Sequence, residues 1–289
     1  MKKILITGKD SYIGTSFEKW VSQWPDKYQV TTIDVRDDSW KSHDFSQYDT
    51  VFHVAGIAHV STNPKLKDLY FKVNRDLSFE VAKISKLYKV KQFIYMSSII
   101  VYGNLSKTNG MINENTHPNP ENFYGESKLQ AEKLLRSIET KEFQVTILRP
   151  PMIYGLHSKG NYPKLSKLSR YMIFFPKFEN NRSMLHIDNL CQFVKCMIDN
   201  SKSGTFFPQN SEFVTTYKLV ETIRSINKKK TLLIKLFNPF IRLLLNTKFM
   251  NKIFGTLTYE KNMSKYEFFN YQIRTFKESI LLTEIEGKS

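Results

Sequence analysis

The sequence predicts an α/β fold in which a doubly wound parallel sheet is followed by a small C-terminal lobe. Three observations support this prediction. Strand-like and helix-like segments alternate through the first half, a glycine-bearing turn joins the first strand to the first helix, and the pattern loosens after Pro150. With 289 residues, 41% of them hydrophobic and 24% charged, the chain can bury a core without disulfides or metal ions.

Five short segments rich in β-branched and other apolar residues are the predicted strands. They span residues 3–6, 29–33, 50–54, 92–96 and 144–148. Segments with apolar residues at helical spacing are the predicted helices, at 12–24, 66–88 and 124–136. Because strands alternate with helices, we expect crossover connections, parallel pairing and helices on both faces of the sheet.

The cysteine content and the longest apolar runs exclude several classes of protein. Cys191 and Cys196 lie five positions apart without a CxxC or histidine partner, which predicts neither a metal site nor a disulfide framework. No apolar run approaches the ~20 residues that a bilayer span needs, and no signal segment is visible. We therefore expect a cytoplasmic protein without a bound metal.

Positive charge is concentrated in the second half of the chain, within a total of +16. Residues 151–289 contain 22 basic and 10 acidic side chains, and residues 224–254 contain eight basic and no acidic ones. Such a segment attracts anions, but no nucleic-acid recognition motif accompanies it, so we predict no nucleic-acid partner. Two interpretations of 228–254 stay open: a weak contact with a membrane surface, or basic side chains that merely cover the lobe.

The turn after the first predicted strand is typical of a dinucleotide-binding loop. Gly8 and Gly14 occupy the first and third glycine positions, which allow a tight turn and close approach of a pyrophosphate to a helix N-terminus. Ser11 takes the middle position and would crowd the pyrophosphate, so an ordinary strand–helix turn also fits. Asp34 ends the next strand, where an acid binds ribose hydroxyls and favours NAD. A strand-end turn residue is the alternative there, and Arg36 keeps NADP open.

A tyrosine and a lysine at positions i and i+4 of a predicted helix form the candidate catalytic pair. Tyr124 and Lys128 share one helix face, and an ammonium lowers the pKa of a phenol, which is ordinarily ~10. Ser98 follows the fourth strand, where its side chain could form a hydrogen bond with a reacting carbonyl or hydroxyl group. Taken alone, the spacing also occurs on ordinary surface helices.

With these motifs in order, the chain resembles the extended short-chain dehydrogenase/reductase superfamily, and within it the NAD-dependent nucleotide-sugar epimerase/dehydratase family. The similarity to UDP-glucose 4-epimerases and to capsule and O-antigen enzymes covers about residues 2–285. It is carried by 8–14, Asp34, 44–45, 53–56, Asn74, 97–103, Tyr124 with Lys128, 149–155, 160–161 and 182–190.

This resemblance implies a role for each matched position. A Rossmann-like domain at 1–155, with some later segments returning to it, would bind NAD, and 156–289 would mainly form the substrate-binding lobe. The implied cofactor-binding residues are Gly8, Ser11, Tyr12, Ile13, Gly14, Asp34, Asp44, Phe45, Ala55, Gly56, Lys128 and Pro150. The implied catalytic residues are Ser98, Tyr124 and Lys128, and the implied substrate-binding residues are Asn74, Ser98, Tyr124, Asn161 and Arg182.

The function implied by the resemblance is hydride transfer at C4 of a UDP-hexose for surface polysaccharide synthesis. Both a 4-epimerase and a 4-keto-6-deoxy-sugar reductase fit. A 4,6-dehydratase fits less well, because Ile99 and Ile100 stand where such enzymes usually carry an acidic pair. A non-catalytic NAD-binding scaffold on the same fold is the alternative from another class. Because members of this family often form dimers, the resemblance also implies a homodimer.

Overall fold

Six parallel strands form the central sheet of the computed structural model, in the order β2–β1–β3–β4–β6–β10. The model describes residues 1–58, 63–103, 105, 109–267 and 269–285. The sheet strands, numbered in chain order, are β1 Lys2–Thr7, β2 Tyr28–Ile33, β3 Thr50–His53, β4 Gln92–Met96, β6 Gln144–Leu148 and β10 Gly204–Phe206. This confirms the predicted α/β, Rossmann-like fold class and all five predicted strands.

Shorter strands form three two-stranded pairs, β7–β9, β8–β11 and β5–β12. Their bounds are β5 Met111–Ile112, β7 Met152–Tyr154, β8 Phe174–Pro176, β9 Met184–His186, β11 Leu232–Ile234 and β12 Thr258–Tyr259. The helices are α1 Tyr12–Val21, α2 Lys67–Phe71, α3 Ser78–Leu87, α4 Phe123–Ser137, α5 Asn161–Ser169, α6 Ile187–Asp199, α7 Thr216–Ile226, α8 Asn238–Leu244, α9 Lys248–Phe254 and α10 Phe276–Ile285.

The central strands are buried on both faces, which explains their nearly continuous apolar sequences. On one face, Leu5 and Phe93 pack in a cluster with Val81 of α3 and Leu135 of α4. On the other, the ring of Phe52 meets Phe17 of α1 edge to face, with ring centroids 5.3 Å apart. Helices on both faces hold the carboxyl ends of the strands in fixed positions.

Two compact units divide the chain. The first comprises Met1–Asn104, His117–Pro150 and Leu190–Pro208, and it contains the six-stranded sheet. The second comprises Leu105–Thr116, Pro151–Asn189 and Gln209–Ser289. One cluster of its core includes Tyr154, Met184 and Ile280. Within the described ranges, none of the helices has the length and apolar character required to cross a membrane.

The long predicted helix at 66–88 differs in detail from the observed one. The segment is helical from Pro64 to Leu87, but its middle part, Lys72–Leu77, is wound as a π-helix. Within that turn, the carbonyl of Asn74 accepts hydrogen bonds from the side chains of Ser78 and Tyr95, each at 2.9 Å. These side-chain donors accompany a local change in the helical ladder, a feature that is frequent at functional sites.

We expect Gly8→Ala to destabilise the protein more than Gly204→Ala. Both glycines have nearly the same left-handed φ, +126° and +123°, so both substitutions carry a backbone penalty of about 1–2 kcal/mol. A Cβ at Gly8 would also lie 2.8 Å from the backbone nitrogen of Ala55, whereas the nearest atom at Gly204 is 3.7 Å away. Overpacking should add at least about 1 kcal/mol to the loss at Gly8.

Urea unfolding of the two variants and the parent protein measures this difference. Equal losses of unfolding free energy would mean that β1 and the chain after β3 are free to move apart, and that the close approach at Gly8 is not a constraint.

Candidate active site

The 3₁₀ turn after β4 and the first turn of α4 bring Ser98 and Tyr124 together. Ser98 begins the turn Ile99–Tyr102, and Asn122 caps α4 by accepting a hydrogen bond from the Gly125 amide at 2.9 Å. A Cβ at Gly125 would lie 2.9 Å from the carbonyl oxygen of Ile100, so only glycine allows this approach. Ser98 lies close enough to Tyr124 for its side chain to act on the phenol and lower its pKa.

Burial is the main influence on the phenol of Tyr124. It raises the pKa of Tyr124 to about 12, although the hydrogen bond from Ser98 acts in the opposite direction. The ring also meets Tyr70 of α2 edge to face, with centroids 5.9 Å apart. The phenol is therefore protonated at neutral pH in the ligand-free protein and is ready to donate a proton.

Lys128 lies four residues after Tyr124, and its side chain is buried. Its Nζ donates a hydrogen bond to the carbonyl oxygen of Met96 at 2.8 Å and lies 4.7 Å from the ring centroid of Tyr95. Burial lowers the pKa of Lys128 to about 7, while the charge of Glu132 acts to raise it. A Cβ at Gly56 would lie only 3.2 Å from this Nζ, so the glycine leaves room beside the ammonium.

A buried ion pair lies one helical turn beyond Lys128. The guanidinium of Arg149 contacts both carboxylate oxygens of Glu132, with Nη2 2.5 Å from Oε2 and Nε 3.0 Å from Oε1. Ser97 donates a hydrogen bond to the same carboxylate, and Arg149 donates another to the hydroxyl of Tyr102 at 2.8 Å. The pair therefore joins α4, the end of β6 and both sides of the turn that carries Ser98.

A second buried polar network connects β1, β3 and the π-helical turn. His53 Nδ1 is 2.7 Å from the hydroxyl of Thr7, and its Nε2 is 2.9 Å from the hydroxyl of Ser78. Since Ser78 donates its hydrogen to the carbonyl of Asn74, it accepts from His53, so Nε2 carries the histidine proton. Burial lowers the pKa of His53 to about 3, so the ring is neutral. We assign His53 a structural role.

Asn74, predicted to bind substrate, uses its amide within the protein. The side-chain oxygen accepts a hydrogen bond from the amide of Ile57 at 2.9 Å, and the nitrogen donates to the carbonyl of Ile57 and to Ser127. These contacts hold the chain after β3 against α4. Asn74 therefore holds this part of the chain near Gly56 and Lys128, and its contact with the substrate stays a prediction.

The predicted pyrophosphate loop lies between β1 and α1, at the point where the strand order of the sheet reverses. Such a switch point is where ligands bind in open α/β sheets. Gly8 follows β1 and packs against the backbone of Ala55 after β3, and Tyr12 and Ile13 begin α1. Ser11 caps α1, accepting a hydrogen bond from the Gly14 amide at 3.1 Å. The hydroxyl that was expected to crowd a pyrophosphate thus serves the helix N-terminus.

The residues expected at the adenosine end differ in exposure. Arg36 forms a salt bridge with Asp34 and, through this hydrogen bonding, lowers the pKa of Asp34 to about 2. Asp44 is exposed and accepts hydrogen bonds from the amide and hydroxyl of Ser46. The ring of Phe45 is fully buried in the core, and its contact with the cofactor stays a prediction.

Pro150 is buried at the end of β6, where its carbonyl accepts a hydrogen bond from the Ile99 amide at 2.9 Å. It thereby fixes the turn that begins with Ser98. Pro150, Lys128 and Gly56 are all predicted cofactor-binding residues. All three belong to the first unit and lie near the carboxyl ends of its strands.

The two remaining predicted substrate residues belong to the second unit. Asn161 is exposed at the start of α5. Arg182 is partly buried, and one of its Nη atoms donates to the carbonyl of Asn251 at 2.8 Å. Its Nε has no hydrogen-bond partner among the described residues, and burial lowers its pKa to about 10. A partly buried guanidinium with a spare donor suits an anionic ligand.

Sequence reasoning missed the network of Ser97, Glu132 and Arg149. A signal was present, because Glu132 lies four residues after Lys128 and therefore on the same face of α4. Arg149 belongs to the matched motif at 149–155, but the resemblance assigns it no role. Among the residues that the structure describes, no three histidine, cysteine or acidic side chains are grouped as a metal site.

Comparison with known sequences agrees with this geometry. Residues 4–207 match the sequence model of the NAD dependent epimerase/dehydratase family. The chain is 30% identical over 247 residues to N-acetyl-alpha-D-glucosaminyl-diphospho-ditrans,octacis-undecaprenol 4-epimerase of Escherichia coli O157:H7, covering 78% of this chain and 73% of the relative. It is 29% identical over 253 residues to UDP-glucose 4-epimerase of Vibrio cholerae, covering 80% and 77%.

Solved structures share the fold at lower identity. UDP-N-acetylglucosamine 4-epimerase from Bacillus cereus superimposes with a TM-score of 0.79 at 17% identity, and the match covers all of both chains. A dTDP-4-dehydrorhamnose reductase from Bacillus anthracis, in complex with NADP, gives a TM-score of 0.73 at 20% identity over 99% of this chain and all of that one.

We expect Glu132→Gln to lower the free energy of unfolding by about 3–5 kcal/mol, because it leaves the buried guanidinium of Arg149 without a counter-ion. Asp76→Asn is the matched control, since it neutralises the carboxylate of a more exposed pair with Arg75 and should cost at most about 1 kcal/mol. Urea unfolding measures both. A loss at Glu132 no greater than that at Asp76 would contradict the assigned importance of the buried pair.

Proposed function

Because the chain belongs to the NAD dependent epimerase/dehydratase family, we propose that it is an NAD-dependent enzyme that transfers hydride at C4 of a UDP-hexose. The observation that carries the proposal is the contact between Ser98 and Tyr124, one helical turn from the buried ammonium of Lys128. A role in surface polysaccharide synthesis is consistent with the relative whose name places its sugar on undecaprenyl diphosphate.

Tyr124 acts as the acid and base at the substrate oxygen. In the reducing direction its protonated phenol donates a proton to the oxygen at C4, and in the oxidising direction the phenolate removes the hydroxyl proton. Ser98 would form hydrogen bonds with the phenol of Tyr124 and with the substrate oxygen at C4, and so orient that oxygen. The ammonium of Lys128 stabilises the phenolate, which offsets the burial that raises the pKa of Tyr124.

The residues at the switch point fit a dinucleotide. A Cβ at Gly14 would lie 2.6 Å from Ser11 Oγ, so glycine at this position leaves room for the serine that caps α1. The N-terminus of that helix carries the N–H groups that suit a pyrophosphate. We propose that Gly8, Ser11, Tyr12, Ile13 and Gly14 hold the pyrophosphate. Asp34, Asp44 and Phe45 would hold the adenosine, and Ala55, Gly56, Lys128 and Pro150 would hold the nicotinamide end. NAD, when bound, supplies the hydride acceptor and donor for the reaction. The partnership of Arg36 with Asp34 keeps NADP as an alternative cofactor.

Arg182 and Asn161 would bind the diphosphate of the substrate. This role of Arg182 is supported by its buried Nε, which has no partner among described residues, and by the bidentate geometry that guanidinium offers to phosphate. The uridine, the sugar and a homodimer remain predictions from the resemblance. Both the 4-epimerase and the 4-keto-6-deoxy-sugar reductase use the same Ser98–Tyr124 arrangement.

The non-catalytic scaffold is the weaker alternative. Ser11 at a glycine position would favour such a scaffold, but this serine has a structural reason to be there as the cap of α1. A scaffold would also have no use for Ser98 placed beside the phenol of Tyr124.

We expect Tyr124→Phe to reduce turnover at least about a hundredfold, because it removes the proton donor, while NAD binding is retained. Tyr88→Phe, which removes a phenol hydroxyl elsewhere in the first unit, should leave turnover unchanged. The assay incubates each protein with UDP-glucose, UDP-N-acetylglucosamine and a UDP-4-keto-6-deoxy sugar.

Conversion of either UDP-hexose without added NAD(P)H would identify a 4-epimerase, and consumption of NAD(P)H with the ketone would identify a reductase. Full turnover by Tyr124→Phe would contradict the role of the tyrosine. Absence of both turnover and binding of NAD(H) or NADP(H) would contradict the enzyme proposal itself.

A further inference from the structure

Helices α8 and α9 have more apolar surface than the core of the second unit uses. Their inner side packs Ile241 and Phe254 against Phe175, Phe178 and Val220, and the side chains of this cluster are largely buried. A helix that carries apolar residues on only one side needs no further cover. These two helices also carry large apolar residues that are exposed and outside this cluster.

The exposed apolar residues in and just before these helices, which we call the outer face, are Leu236, Phe237, Phe240, Leu243, Leu244 and Phe249. All six side chains are exposed, with Phe240 at 66%, Phe249 at 69% and Leu243 at 78%. Phe240, Leu243 and Leu244 follow the i, i+3, i+4 spacing that places residues on one side of α8. Several exposed large apolar side chains in one short segment mark an interaction surface rather than isolated surface residues.

Basic side chains accompany the outer face, and they lack acidic neighbours in sequence. Lys228, Lys229, Lys230, Lys235, Arg242 and Lys252 are exposed, and residues 224–254 contain no aspartate or glutamate. Within the described part of the chain, none of these six cations forms a salt bridge. Their aliphatic stems do not cover the outer face, because its apolar side chains remain exposed. The alternative of basic side chains that merely cover the lobe therefore leaves this face unexplained.

We propose that the outer face binds the surface of an anionic lipid bilayer. Phe240, Leu243 and Phe249 would enter the interfacial region, while Lys235 and Arg242 would lie among the phosphate headgroups. An apolar side flanked by lysine and arginine, on helices too short to cross the membrane, is the composition of an interfacial anchor. The proposal does not depend on the substrate of the active site.

Charge argues against a second copy of the chain as the occupant. A symmetric dimer would place the same patch against itself, and this patch has positive side chains without a negative partner in the same segment. A bilayer rich in anionic lipid supplies the missing negative charge and a disordered apolar layer in one partner.

Vesicle sedimentation of the 289-residue chain tests the proposal. We expect binding to phosphatidylcholine vesicles that contain phosphatidylglycerol, little binding to pure phosphatidylcholine, and weaker binding at high salt. Two double variants test the apolar and the basic contributions to binding. The first combines Phe240→Ser with Leu243→Ser, and the second combines Lys235→Glu with Arg242→Glu. Each should weaken binding at least about tenfold. Leu87→Ser, which removes an equally exposed leucine at the end of α3 (77%), should bind like the parent protein.

Turnover of a soluble substrate and the thermal unfolding midpoint are measured on the same variants. Both should be unchanged, so that failure of this proposal can be told apart from failure of the proposed function. Absence of binding to anionic vesicles at low salt would overturn the proposal, as would binding that both double variants retain. An oligomer that Phe240→Ser with Leu243→Ser dissociates, without any vesicle binding by the parent, would assign the face to a second copy instead.

Discussion

Glu132 lies one helical turn after Lys128 and could take its ammonium as a partner, yet Arg149 and Ser97 occupy its carboxylate oxygens. This buried ion pair has two consequences for the site. It ties α4 to the ends of β4 and β6, which sets the turn carrying Ser98. It also leaves Lys128 without an ion-pair partner among the described residues, so burial lowers the pKa of Lys128 to about 7. A lysine paired with Glu132 would keep its charge firmly but would be less available to a phenolate or a ligand.

Buried polar side chains also hold the loop after β3 in place. Asn74 holds both backbone groups of Ile57 and reaches Ser127 of α4, so the loop beside Gly56 is fixed from within the protein. The neutral histidine at position 53 and the π-helical turn belong to this support. The geometry of the proposed active site at the carboxyl ends of the strands is thus fixed by buried polar groups to which the proposal assigns no part in the reaction.

Much of this arrangement could be predicted from the sequence because the signals are local. The bounds of β4 and β6 agree with the predicted strands at 92–96 and 144–148, and the i, i+4 spacing places Tyr124 and Lys128 on one face of α4. The network of Glu132 and Arg149 was not predicted, since its contacts join residues that are distant in sequence. The π-helical turn was missed for a similar reason, because it accompanies hydrogen bonds that Ser78 and Tyr95 make to one carbonyl. Phe45 shows a limit of motif reasoning, because a residue that matches a family motif can also be a core residue with a fully buried ring.

The most direct test of the account is a titration of Tyr124 with and without NAD⁺, followed by the ultraviolet absorption of tyrosinate. The difference spectrum between the parent protein and Tyr124→Phe isolates the one phenol. We expect Tyr124 to titrate near the raised pKa of about 12 in the free protein and at a clearly lower pH once NAD⁺ is bound, with Lys128→Met reducing that change. A phenol whose pKa is the same with and without NAD⁺, in a protein that binds NAD⁺, would contradict the claim that Tyr124 is the proton-transferring group.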